Sequence, residues 1–515
     1  MTGTSRRKLL TAGMAAGVLA ASGLSLSAKP QQGGGLRAGL GGAHLGDGWD
    51  SRAHMGTFAI CMGHGAVFDC LTEVAGDGSL RGELAENWEA SSDARIWTFN
   101  LRKGVRFHNG KAFCAEDVIA SLRLHQDSRS PMRPLLQNIA GIRQLRPHQV
   151  QFTLHNGYAD LPYLLSDYHL VIYPAGQIAA AMQFGIGTGL YQVSEFVAGQ
   201  RFLGKRVQDH YKSGSAGWFD EIEFIAINDP KARNQALLSG DVDVISGLDF
   251  SSAGTYQSRP DLRMQEVTGN RHLTFPMQAD VAPFSSRHVR KALKHGIDRT
   301  AFVDTILNGH GCVAADTPIG PADQFYLPDL APLEYDPDRA RYHLAQAGLS
   351  DLHVDLAVSQ TAFDGAVEAA QLYQFTASAC GIAITPRVKQ DQSYWSDTWR
   401  RAPFSAASWA GRATEDWMLS LAYQDAALWN DSGWGRDQHP RFQSLLAQAR
   451  AELNIGLRQD LYHEMQVILR DDGSTIIPAF ANWAHGMSAQ INTPDDIGNL
   501  WEMDNARFAE RWWKT

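Results

Sequence analysis

Cysteine is scarce in this sequence: five residues in 515, at Cys61, Cys70, Cys114, Cys312 and Cys380. None forms a C-x-x-C pair, and the odd count leaves at least one thiol free, so no function is built on them. The signatures of the common hydrolases and nucleotide-binding enzymes are missing as well. There is no G-x-S-x-G, no H-E-x-x-H and no G-x-x-x-x-G-K-[ST]; Gly104–Lys111 has the wrong spacing for the last. The S-G-S-A-G at Ser213–Gly217 reads as a loop and not as a nucleophile elbow. Histidines such as His44, His54 and His64 recur at ten-residue spacing, which matches no helical metal pair. No catalytic residue, metal ligand or cofactor is therefore assigned. A secreted hydrolase is the reading from another class that these absences disfavour.

What is present begins at the N-terminus. S-R-R-K-L-L at Ser5–Leu10 precedes an apolar run rich in Ala, Leu and Gly, then S-L-S-A at Ser25–Ala28. This is the anatomy of a twin-arginine signal peptide, residues 1–28, and the run is shorter than the ~20 residues of a spanning helix. The export machinery that reads such signals is an expected partner, and a periplasmic location follows. Without a Cys near the cleavage point, no lipid anchor is expected. Removal of Arg6, Arg7 and Lys8 leaves 43 Lys and Arg against 55 acids, a net charge of about −12. Nucleic acid and anionic lipid are attracted by clustered bases, so such a chain excludes them as partners. The oxidising compartment would permit a bridge, and Cys61 with Cys70 is the closest pair in sequence.

About 487 residues exceed what one hydrophobic core organises, so two or three domains are expected. Alternation predicts strands at Leu36–Leu40, Ile96–Leu101 and Gln149–Leu154. Helices are predicted over Ala115–Leu124, over the stretch with Val289, Ala292, Leu293 and Ile297 capped by Ser286, and over Asp336–Gly348. A late helix is expected to bury Leu457, Leu461, Met465 and Ile468 on one face. Strands and helices intermix throughout with no repeat period and no low-complexity linker, so the class is mixed α/β with interleaved domains.

The run Leu84–Leu124, L-A-E-N-W-E-A-S-S-D-A-R-I-W-T-F-N-L-R-K-G-V-R-F-H-N-G-K-A-F-C-A-E-D-V-I-A-S-L-R-L, resembles the signature of the family 5 extracellular solute-binding proteins. These are the dipeptide, oligopeptide and nickel receptors of ABC importers. Further pieces follow in family order: I-G-T-G-L-Y at Ile186–Tyr191, L-L-S-G-D-V-D-V-I at Leu237–Ile245, Phe284–Arg299, and S-W-A-G-R at Ser408–Arg412. Leu190 stands where Pro is common, and Cys114 replaces a capping Thr, which predicts a weaker cap. The resemblance implies the two-lobed periplasmic binding protein fold with an extra domain in the N-terminal lobe (cluster C type), each lobe on its own sheet. Domain I is then 29–65, 187–270 and 486–515, domain II 66–186 and domain III 271–485. A monomer that hands a peptide or peptide-like solute to an ABC permease is the implied function. A metal chelate of the nickel type, an opine or an oligosaccharide are the alternative cargoes.

Large aromatics concentrate between Tyr394 and Trp434: Tyr394, Trp395, Trp399, Trp409, Trp417, Tyr423, Trp429 and Trp434. Flat side chains with a polar tip enclose a solute at low entropic cost, although a domain core uses them equally. Tyr394, Trp409, Trp417 and Trp429 are taken as candidate contacts. In dipeptide-binding members the residue after S-W-x-G is an Asp that pairs with the ligand ammonium; here Gly411 is followed by Arg412, which repels an ammonium and suits a carboxylate or carbonyl. The loop that carries an Arg for the ligand carboxylate aligns with Val358–Ala366, where Gln360 is the nearest equivalent. Glu415 and Asp416, just beyond Arg412, are candidates for a displaced negative anchor, against the plainer reading of helix-start acids facing solvent.

Overall fold

The computed structural model describes residues 29–515 apart from 249, 426, 428 and 436–438. The expected signal peptide lies outside the described residues.

A nine-stranded sheet forms the spine. Across it run Ala407–Trp409, Leu262–Pro276, Thr475–Ser488, Val244–Ile245, Gly35–Leu40, Glu221–Ala226, Arg201–Arg206 and Tyr191–Val197, with Gly311–Val313 joined to Thr475–Ser488. The expectation of a separate sheet per lobe fails here for a definite reason. Leu262–Pro276 and Thr475–Ser488 are 15 and 14 residues long and pair antiparallel along most of their length, so one ladder runs from the N-terminal lobe into the C-terminal lobe. That ladder is interrupted where Thr268, Gly269 and Asn270 stand opposite the single residue Asn482. An interruption of this kind bends a strand and frees its backbone from pairing.

Separate cores fill the parts. Leu36, Phe58, Phe202, Phe224, Phe508 and Trp512 pack around the strands Gly35–Leu40, Arg201–Arg206 and Glu221–Ala226. Residues 71–172 enclose another core, on the four-stranded sheet Ala85–Ala90, Ile96–Leu101, Gln149–Leu154, Ile139–Arg146. The C-terminal lobe holds two more, one centred on Phe275, Tyr373 and Phe404, the other on Trp434, Phe442 and Tyr462.

Local signals explain most elements. Asp336 accepts from the amides of Asp338 and Arg339 and Pro337 opens the helix Pro337–Gln346, with Gly348 at φ +78° just past its end. At Ala115–Arg123 the missing Thr cap is compensated, because Asp117 Oδ2 accepts from Cys114 N at 2.8 Å. The helix Ile455–Asp472 turns a different face inward than the apolar spacing suggests. Tyr462, Met465 and Leu469 are buried while Leu457 is 55% exposed, because Arg458 points in to an ion pair with Asp160. All five thiols are free, so Cys61 and Cys70 are not bridged; Cys70 Sγ instead donates to Asp167 O at 3.3 Å.

Candidate solute-binding site

The strand Ala407–Trp409 pairs antiparallel with the C-terminal half of Leu262–Pro276, setting His272 beside Trp409. The chain then turns through Ala410–Ala413 into the helix Glu415–Ala422, whose start is capped by Thr414 Oγ1 accepting from Trp417 N at 3.3 Å. This turn presses onto the bend in the long ladder. A Cβ added at Gly411 would lie 1.7 Å from Asn270 Cγ, so only glycine lets the Asn270 amide lie against the turn.

Arg412 is wedged at the same place. Its guanidinium stands 6.0 Å from the Trp409 ring and 5.9 Å from the Trp429 ring, within cation–π range. Nη1 donates to Ala410 O at 2.8 Å and Gly411 O at 2.9 Å. Burial pulls its pKa below the ordinary guanidinium value, opposed by Tyr168 and Asp167 from the facing lobe. Tyr168 in turn meets Trp501 edge-on at 5.6 Å.

Several polar atoms here have no partner. Asn270 and His272 are each 1% exposed, yet both amide atoms of Asn270 and Nε2 of His272 lack a hydrogen bond. Burial pushes His272 down to about 4, so the ring is neutral at pH 7. Along the ladder, a cavity of about 530 Å³ opens between the lobes, lined in part by Lys231, Arg271, Phe363 and Trp483.

The candidate residues separate into groups. Trp409, Gly411, Arg412 and Trp429 come together, continuing a ring contact chain from Trp395 through Trp399. Tyr394 does not join them: it is fully buried in the C-terminal core, donating from its hydroxyl to Ala406 O and Ala357 O. Gln360 is exposed, its carbonyl accepting from Gly365 N and its amide donating to Glu368. Trp417 packs into the core of residues 71–172, so it is a contact between lobes. Glu415 and Asp416 are neither solvent-facing nor free for a ligand: Glu415 accepts from Phe325 N at 2.7 Å and Asp416 from Arg450 Nε at 3.0 Å. Asn270, His272, Tyr168 and Trp501 escaped the sequence reading. The run Asn270–His272 lies in a strand that also carries Arg263, Gln265, Glu266 and Thr268, so no local signal set it apart, and none marked Tyr168 or Trp501.

The model of the bacterial extracellular solute-binding proteins, family 5 (middle region), matches residues 79–429. The chain belongs to that family. Among its curated relatives, heme-binding protein A of Haemophilus influenzae is 23% identical over 450 residues, 80% of this chain and 81% of the relative. The dipeptide-binding protein of Escherichia coli is 24% identical over 436 residues, covering 77% and 80%. The nickel-binding periplasmic protein of E. coli is 28% identical over 299 residues, 55% and 56%. In three dimensions this family 5 protein superposes on HbpA2 of Haemophilus parasuis with a TM-score of 0.79 at 21% identity, covering 89% and 96% of the two chains. It superposes on the binding protein AgaA of A. tumefaciens R10, solved with agropinic acid, with a TM-score of 0.76 at 23% identity, covering 94% and 99%. The fold is thereby the two-lobed one of periplasmic binding proteins, and among the described residues no helix is long and apolar enough to cross a membrane.

Among the described residues of this family 5 chain, one acidic group is close enough to hold a metal: Asp69, Glu83 and Glu510. Lys212 Nζ already sits among them, 2.6 Å from Glu83, 3.2 Å from Glu510 and 3.3 Å from Asp69. Arg507 adds contacts at 2.7 Å to Glu83 and 2.8 Å to Glu510. The group is a charge-paired joint between residues 69–83 and the C-terminal segment, remote in sequence from the Arg412 turn.

Proposed function

We propose that the protein is a periplasmic receptor that closes around a small, peptide-like solute and delivers it, unaltered, to an ABC-type permease. The observation that carries this reading is the bend at Thr268–Asn270 in the ladder joining the lobes, set directly against buried polar groups that lack partners. A buried donor or acceptor without a partner costs about 1–3 kcal/mol, a cost that a bound solute removes. Contacts between the lobes supply the other half of the mechanism. Trp417 enters the opposite core, Arg458 pairs with Asp160, and Ala159 N donates to Arg450 O at 2.7 Å. Solute that touches both lobes favours the closed state by its differential affinity, and the permease reads the closed shape. Relatives named for peptides support a peptide-like cargo.

Export through the twin-arginine route, a periplasmic location, a monomeric state and domain borders near 65/66, 186/187, 270/271 and 485/486 belong to the same proposal. The motif at Arg6 and Arg7 supports the first, the relatives named periplasmic the second, and the ladder interruption at residues 268–270 the third border. Small-angle scattering tests the mechanism. The radius of gyration should fall when a saturating solute is added, the solute being chosen by thermal-shift screening of peptides, opines, sugars and metal complexes. An unchanged radius with bound solute would remove hinge closure.

A further inference from the structure

The Arg412 turn carries more than a generic cleft. Arginine has five N–H donors, and the two on Nη1 are spent on Ala410 O and Gly411 O. Among the described residues, the Nε–H and the two Nη2 donors have no protein acceptor, and no carboxylate lies within ion-pair distance of Arg412. The Nε/Nη2 edge is the side that receives both oxygens of one carboxylate. The Trp409 and Trp429 rings, 6.0 and 5.9 Å away, flank the guanidinium and favour its charge.

Every acid around this edge is committed. Asp431 Oδ2 accepts from Trp409 Nε1 at 3.1 Å and Trp399 Nε1 at 3.3 Å. Asp167 Oδ1 lies 2.6 Å from His169 Nδ1 and also accepts from His169 N. Glu415 and Asp416 are held by Phe325 N and Arg450. At this edge a solute ammonium would face the guanidinium, with no carboxylate of the described residues in ion-pair reach of Arg412. Asn270, whose amide lies against Gly411 next to Arg412, offers an unpaired acceptor and an unpaired donor together, the complement of an amide. Arg271, lining the 530 Å³ cavity together with the acid Asp364, adds a second cation.

We infer that the cognate solute carries a carboxylate, held by Arg412, and an amide-like group, held by Asn270, and that it has no free ammonium at this end. The class is that of N-acylated or otherwise amine-blocked amino-acid derivatives. This rests on the peptide-like reading above and narrows it, since ordinary dipeptides fall outside the class.

Calorimetry on the full mature chain tests it with three matched probes: N-acetyl-Ala-Ala, the same compound as its C-terminal amide, and free Ala-Ala. N-acetyl-Ala-Ala should bind at least tenfold tighter than either other form. Arg412→Gln should abolish that preference and Arg412→Lys should retain part of it, both with apo melting temperatures near the parent's. Free Ala-Ala binding as tightly as the acetylated form, with the order unchanged in Arg412→Gln, overturns the inference and leaves the peptide-like reading standing. If no peptide form binds, the peptide-like reading fails by itself, and the same contrast is read on gluconate against glucose. Gluconate binding that is lost in Arg412→Gln upholds the carboxylate assignment. Binding of glucose alone, or of neither, overturns it.

Discussion

Two polar clusters lie in this molecule, and they are finished to different degrees. Around Arg507, the charges pair with one another: Glu83, Glu510 and Glu73 surround it, Lys212 completes the set, and Arg511 ties Glu73 to Asp504, leaving Asp69 Oδ2 as the one carboxylate oxygen of the group that is buried without a partner. Around Arg412, the guanidinium keeps one edge unused and Asn270 and His272 keep unpaired atoms. Charges that pair with one another hold segments of the chain together, whereas the free edge at Arg412 is the feature on which the proposed solute site rests. Burial of charge is therefore uninformative by itself, and the count of partners carries the functional signal.

The contrast can be broken from its finished side. Arg507→Ala leaves Glu83, Glu73 and Glu510 close together without their central cation and should cost about 3–5 kcal/mol of stability, read as a lowered midpoint in urea unfolding. Arg412→Gln in the same assay should move the midpoint far less.

Trp417→Ala acts between the two. Truncating a buried aromatic costs about 3 kcal/mol or more, but this one is buried across the lobe boundary. Most of the loss should appear as weakened solute affinity, about a hundredfold, and as a larger radius in the liganded state. An affinity equal to the parent's would remove Trp417 from closure.

Asp431 sharpens the comparison by titration. Burial raises its pKa to about 6 against the indole donors of Trp409 and Trp399, which lower it. Because the folded value exceeds the unfolded value near 3.9, the native state binds the extra proton, and this group's contribution to stability declines as pH rises from about 4 through 6. Asp431→Asn should remove that slope, gaining up to about 3 kcal/mol relative to the parent well above pH 6 and nothing below pH 4, as read from melting temperature against pH. A pH-independent difference would count against the assignment.

The smallest effect belongs to Gln360. Exposed and bonded only to its own loop and Glu368, it should tolerate Ala with solute affinity changed by less than about 0.5 kcal/mol. A tenfold loss would restore it to the site.

Much of the fold was legible before the structure. The strands Ile96–Leu101 and Gln149–Leu154 lie where alternation placed them, and the helix from Pro337 begins at the residue its cap and proline announced. Capping and alternation are local, so a linear reading recovers them. The inward face of Ile455–Asp472 was misread because Arg458 is drawn in by Asp160, nearly three hundred residues away. The site was legible in part. Arg412 stood out because its charge is opposite to the one expected at that position of the motif. Tyr394 and Trp417 misled because aromatics fill cores as readily as they line clefts, and Asn270 stayed hidden because a missing hydrogen bond exists only once the chain has folded.

The bend at Thr268–Asn270 has a mechanical consequence. Asn270 is at once part of the fulcrum on which the lobes would pivot and a group positioned to grip cargo. Any molecule that satisfies its amide stiffens the pivot itself. Capture and movement would then be a single event at one residue, with no relay needed to carry news of occupancy to a distant joint.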